Sequence, residues 1–186
     1  MPEKQVISKT FQLRGDHNWK AKAGNSILVL DRGAVRLEIP RSWSVARHQG
    51  TIRATDRPEP DDNASLEITV YHLPHLMDEL PPVRDLLAQA APEEADLAHE
   101  RVERMPIVED RRGDTASAML ETRFRENGRD ATSYTQIAIA GELACLLTFA
   151  FWDDDALEAH RVWQDVQETL VLGWYVADPT RGPVLN

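Results

Sequence analysis

Apolar and polar positions alternate through the stretch from Thr115 to Trp152, and two turn signals cut it into three strands. Asn127-Gly128 lies between two alternating runs. That dipeptide suits a type I′ turn, which needs positive φ at both central residues. Gly141-Glu142 ends the next run, with glycine at the first central position as a type II′ turn requires. The pattern predicts strand, hairpin, strand, hairpin, strand.

Two-residue turns also set the register. Glu126 then pairs with Arg129, Glu121 with Tyr134, Leu120 with Thr135, Ala118 with Ile137 and Ala116 with Ile139. The second turn pairs Ile137 with Leu146 and Ile139 with Ala144. One predicted face carries Ala118, Leu120, Phe124, Ile137, Ile139, Leu146, Ala150 and Trp152. The other carries Cys145, Leu147, Phe149 and Phe151 on the last strand and becomes polar toward the first, at Tyr134, Gln136, Glu121 and Arg123. The last strand is apolar on both sides and needs cover on both.

Shorter signals surround this meander. Lys9–Arg14 and Ser26–Leu30 read as strands, and Arg32-Gly33 turns the chain into Ala34–Ile39, where Val35, Leu37 and Ile39 alternate with Arg36 and Glu38 before Pro40. Trp43 reads as a core plug over the sheet end. Thr51–Thr55 and Ser65–Tyr71 are further strands, joined by a loop of turn-forming composition from Arg57 to Asn63. Val83, Leu86, Leu87 and Ala90 share a helical face, and a second short helix is expected from Glu94 to Arg101. Val102–Val108 reads as a strand leading into an Asp110–Asp114 turn. The last helix begins at Asp155, with Glu158 three residues on as in a capping box, and Ala159, Trp163, Val166 and Leu170 form its stripe. Gly173 is its expected C-cap, and the Ala118/Ile137 face its expected seat. The domain assignment is one domain over 1–186, with its core at about 25–173, an N-terminal extension over 1–24 and a C-terminal tail over 174–186.

Composition narrows the class. Hydrophobic residues make up 42% and charged residues 28%, ordinary for a folded soluble protein. The net charge of −10 argues against nucleic-acid binding, although residues 1–60 hold eleven basic and six acidic side chains, and all four lysines precede Ala23. The single Cys145 lies mid-strand among leucines, which predicts a buried thiol rather than a nucleophile. The first residues contain no apolar run of signal-peptide or anchor type, so a cytoplasmic protein without membrane insertion is expected.

Taken together, the layout resembles the PsbP-like fold family, which includes photosystem II PsbP proteins, a Ran-binding import factor, and bacterial DcrB-type and effector-chaperone proteins. The resemblance rests on Val35–Ile39 ending in Pro40 and followed closely by Trp43, on Leu66–Tyr71 ahead of a helical region, and on Leu143–Trp152 running through an acidic cap into the Trp163 helix. It implies an α+β fold, an antiparallel β-sheet with helices on both faces (an α/β/α sandwich). It also implies a role in binding protein partners, and it brings no catalytic residues with it.

Candidate chemistry is sparse. His72 and His75, with Asp78 and Glu79 nearby, are weak divalent-metal ligands, since Pro74 keeps the stretch off a helix. Asp153-Asp154-Asp155 lacks the spaced ligands and central glycine of an EF-hand and reads as helix capping. His160 has no G-x-S-x-G partner, and no phosphate-binding glycine pattern is present. The register instead groups Glu121, Arg123, Tyr134 and Gln136 as a partner or ligand surface. The expectation is a non-enzymatic protein-binding module, adaptor or chaperone-like, with no cofactor and a protein partner. The alternatives are a small-molecule- or metal-binding domain or weak hydrolase using the Glu121/Arg123/Tyr134 face or the His72/His75 loop, and a homodimer joined along an uncovered sheet face.

Overall fold

A computed structural model of the chain describes residues 14–48, 51–73, 81–93 and 99–182. The expected strand at 9–14 and helix at 94–101 lie largely outside the described residues, as does His75 of the candidate metal loop. In chain order the elements are β1 (Asn25–Leu30), β2 (Val35–Pro40), β3 (Ser44–His48), β4 (Thr51–Thr55), β5 (Ala64–His72), α1 (Val83–Ala90), β6 (Arg101–Arg104), β7 (Val108–Arg112), β8 (Thr115–Glu126), β9 (Arg129–Ala140), β10 (Leu143–Trp152), α2 (Ala156–Thr169) and β11 (Val171–Leu172). Among the described residues the fold is a mostly antiparallel β structure with two α-helices.

Eight strands form the main sheet in the order β3-β4-β5-β10-β9-β8-β6, with β7 also paired to β8. A second sheet has the order β1-β2-β11. Both tight turns take the conformations their residues favour, with Asn127 at φ 51°, Gly128 at 75° and Gly141 at 56°. The meander therefore has the predicted register, including Glu126 opposite Arg129, Glu121 opposite Tyr134 and Ile137 opposite Leu146. The outer edge of β8 is shared: β6 pairs with Thr122–Arg125 and β7 with Thr115–Met119. The expected Asp110–Asp114 turn is thus confined to Gly113-Asp114, because Val108–Arg112 is a fully exposed strand with no alternation to announce it.

The larger core lies on the Cys145–Phe151 side of the meander. There Trp163 of α2 stacks on Phe149 at 5.7 Å and 3° and on Tyr134 at 5.4 Å, while Val35, Leu37 and Ile39 of β2 pack beside them. This corrects the expected seat of the last helix. Phe149, Phe151 and Tyr134 point to this side, and burying them recovers more apolar area than burying the alanines and isoleucines that α1 covers opposite. Leu87, Leu86 and Val83 of α1 pack instead with Ala118, Leu120, Ile137, Ile139 and Ala144. Trp43 is a partly buried plug stacked on Phe149 at 6.1 Å.

The ends of α2 also differ from expectation. Asp155 makes no capping hydrogen bond, and its carboxylate joins Asn63 and Arg57. The helix ends at Thr169, Leu170 is extended, and Gly173 lies beyond β11 with its N–H donating to Ala34 O at 2.8 Å. Lys22 ties the incoming chain to the helix, its Nζ 2.6 Å from both Asp165 and Glu168, and the Asn25 amide donates to Asp165 at 2.9 Å. Hydrogen bonds from Lys22 hold both carboxyls below the ordinary carboxylate range and raise the lysine.

Two predictions follow from this packing. At Gly33 (φ 95°) a Cβ would sit 2.6 Å from Trp174 O and 2.9 Å from Val176 N, whereas at Gly141 it would meet nothing within 4 Å. Gly141→Ala should cost about 1–2 kcal/mol through its left-handed backbone alone, and Gly33→Ala clearly more, read from urea midpoints. For the acidic pair the sign is set by depressed folded-state values: ionisation favours folding. The contribution is present in full above the unfolded values near 4 and is lost as pH falls through the lowered ones. Lys22→Met should therefore destabilise at pH 6 and converge on the wild type as pH falls through the lowered carboxyl values.

Candidate functional site

The sequence-selected cluster is only partly surface. Glu121 and Arg123 remain together, with Arg123 Nε donating to Glu121 at 2.7 Å and its guanidinium stabilised by that bond. Tyr134 lies across from Glu121 and Gln136 across from Met119, and both are buried beneath α2, at 6% and 4% exposure. The Tyr134 hydroxyl meets Nδ1 of the exposed His160 at 3.1 Å, and Gln136 accepts from Gln167. Burial, with the nearby Glu121 charge, pushes the Tyr134 phenol up to about 12. An open surface made of all four residues is thereby corrected. They form a contact between sheet and helix, with Glu121 and Arg123 at its margin.

Of the weak metal candidates, His72 is exposed at the end of β5 and pairs with Asp31. Among the described residues no three His, Cys, Asp or Glu side chains are placed to share a metal ion. The three consecutive aspartates splay apart: Asp153 accepts from Thr132, Asp154 pairs with Arg129, and Asp155 turns to Arg57 and Asn63.

A different site emerges on the Ala150/Trp152 side of the sheet. α1 covers only the half of that side around Ala118, Ile137 and Ala144. Among the described residues the other half is an open groove of about 790 Å³. Its floor is made of small residues on three adjacent strands, Ser65, Ala150 and Ala131, and the same side continues into Ser133 and Thr122. The loop between β4 and β5 supplies one wall with Arg57, Asp61, Asp62 and Asn63, and Phe124 and Glu126 supply the other. Arg129 lies over the Trp152 ring at 4.3 Å, a cation–π contact that holds both at the rim. Arg53 reaches Glu59 at 2.7 Å and Asp62 at 3.1 Å, bracing the loop against β4.

Sequence reasoning placed Ala150 and Trp152 on this face but did not single them out. The available signal was the drop in side-chain size at Ser65, Ala131, Ala150 and Ser133, visible only once the register lines them up across the strands. Alternation distinguishes buried from exposed; it does not distinguish a groove floor from a plain solvent face.

The architecture is PsbP-like. The solution structure of CyanoP from Synechocystis sp. PCC 6803 matches it with a TM-score of 0.59 at 11% identity, covering 82% of this chain and 95% of that one. LpqN of Mycobacterium tuberculosis, involved in cell envelope biogenesis, matches with a TM-score of 0.56 at 13% identity over 79% and 89%. At these identities the likeness carries the fold alone. By sequence the chain belongs to the Alr1449 family, whose model matches residues 26–176. The uncharacterised protein alr1449 of Nostoc sp. is 31% identical over 181 residues, 96% of this chain and 93% of that one.

Cys145 is fully buried, and burial pushes its thiol up to about 12. The native protein should not react with Ellman's reagent at pH 8, and denaturation should release one equivalent of thiol, read at 412 nm.

Proposed function

We propose that the chain is a non-enzymatic, cytoplasmic protein-binding module of adaptor or chaperone type, layered as an α/β/α sandwich. Its partner site is the half-face that α1 leaves open. The observation that carries this reading is the groove itself: about 790 Å³, floored by small side chains on paired strands and rimmed by Trp152, Phe124 and three arginines. Aromatic and arginine side chains around a depression on a rigid sheet suit recognition of a protein segment. In the main sheet β5, β10 and β9 pair along nearly their whole lengths, so the floor is preorganised.

The test is capture from native lysate with covalent crosslinking. All four lysines precede Ala23, so amine-directed reagents reach only the first residues of the chain. A carboxylate-directed crosslinker is needed to report on Asp61 and Glu126. One dominant partner crosslinked at those residues, and lost with Ala150→Tyr at unchanged melting temperature, supports the reading. Undiminished capture by that variant sinks it. A thermal-shift screen with metals and metabolites addresses the small-ligand alternative, since a ligand at 100 times its Kd stabilises by about 2.7 kcal/mol.

A further inference from the structure

Resting on that reading of the groove, we infer that its occupant is an extended peptide segment carrying basic side chains about five residues apart. Unpaired charge on the groove walls selects the occupant. Every arginine lining the groove already has a carboxylate: Arg53 has Glu59 and Asp62, Arg57 has Asp56 at 3.4 Å and Asp155 at 3.7 Å, and Arg129 has Asp154 at 3.1 Å. Asp61 and Glu126 also line the groove, and neither carboxylate has a side-chain partner among the described residues. The charge left to meet a ligand is therefore negative and stands on both walls. An acidic segment would face like charge at either end.

Geometry supplies the spacing. Asp61 lies in the loop entering β5, Glu126 ends β8, and β10 and β9 run between. Three strand spacings of about 4.8 Å span roughly 15 Å, which an extended chain covers in about five residues. Between the walls, Ser65, Ala150 and Ala131 leave depth for a backbone. The Trp152 and Phe124 rings flank the path, where the aliphatic stems of lysine or arginine lie well against aromatic surface.

The test uses the full chain and three fluorescein-labelled octapeptides: Gly-Lys-Thr-Thr-Thr-Thr-Lys-Gly and its counterparts with both lysines changed to glutamine or to glutamate. Anisotropy titration should rank lysine first, glutamine weaker and glutamate weakest. The Asp61→Asn/Glu126→Gln variant should weaken the lysine peptide roughly tenfold, as two rim ion pairs allow, and added salt should do the same. The Asp85→Asn/Asp114→Asn variant carries the same net charge change away from the groove and should bind as the wild type does. Equal binding of all three peptides, binding of none, or equal weakening by the control pair overturns the inference. If the lysate partner is lost with Ala150→Tyr yet retained in full by Asp61→Asn/Glu126→Gln, the charge rule fails while the groove remains the partner site.

Discussion

A meander closed by two tight turns has a single register, and in this protein that register decides what each layer can do. With Glu126 opposite Arg129 and Ala140 opposite Leu143, every side chain of β8, β9 and β10 is assigned to a side. Phe149 and Tyr134 come together where Trp163 can stack on them, with Phe151 beside them, and Ser65, Ala150 and Ala131 come together where, among the described residues, a groove stays open above them. A slip of one residue would exchange the two sets, exposing the aromatic cluster and packing α2 onto a depression. The core and the groove are two consequences of the same pairing.

That dependence explains which parts were legible in the sequence. Register was, because Asn127-Gly128 and Gly141-Glu142 are short-range chemistry. The strands at Ser26–Leu30, Ala34–Ile39, Thr51–Thr55 and Ser65–Tyr71 were legible through alternation, and all four appear within a residue or so of the expected bounds. The seat of α2 was not, since both sides of β10 read as apolar and only side-chain volume separates them. β3 and β7 escaped notice because short exposed strands carry no period. The polar set at Glu121, Arg123, Tyr134 and Gln136 was grouped correctly in space, but Tyr134 and Gln136 belong to the sheet–helix contact, where His160 and Gln167 meet them. The groove was hidden for another reason: its floor consists of what is small, and its walls come from a loop whose path no local pattern fixes.

The likeness to CyanoP and LpqN, at 11% and 13% identity, shows how little of this fold is spelled in particular residues. What the three chains hold in common is the fold. The arrangement of Arg53, Arg57, Arg129 and Trp152 around the groove depends on this chain's own side chains, which the fold alone does not specify.

The division of β8 between two short neighbours has a bearing on how the protein behaves in a crowded solution. A sheet with half of one side open runs the hazard of joining, border to border, with other copies of itself. Here one border is broken into a four-residue and a five-residue strand, and the other is β3, five residues long and carrying Arg47. Neither offers a long, flat, apolar template for another chain to extend. The main sheet can thus leave half of one side open without offering its borders as a seed for polymerisation.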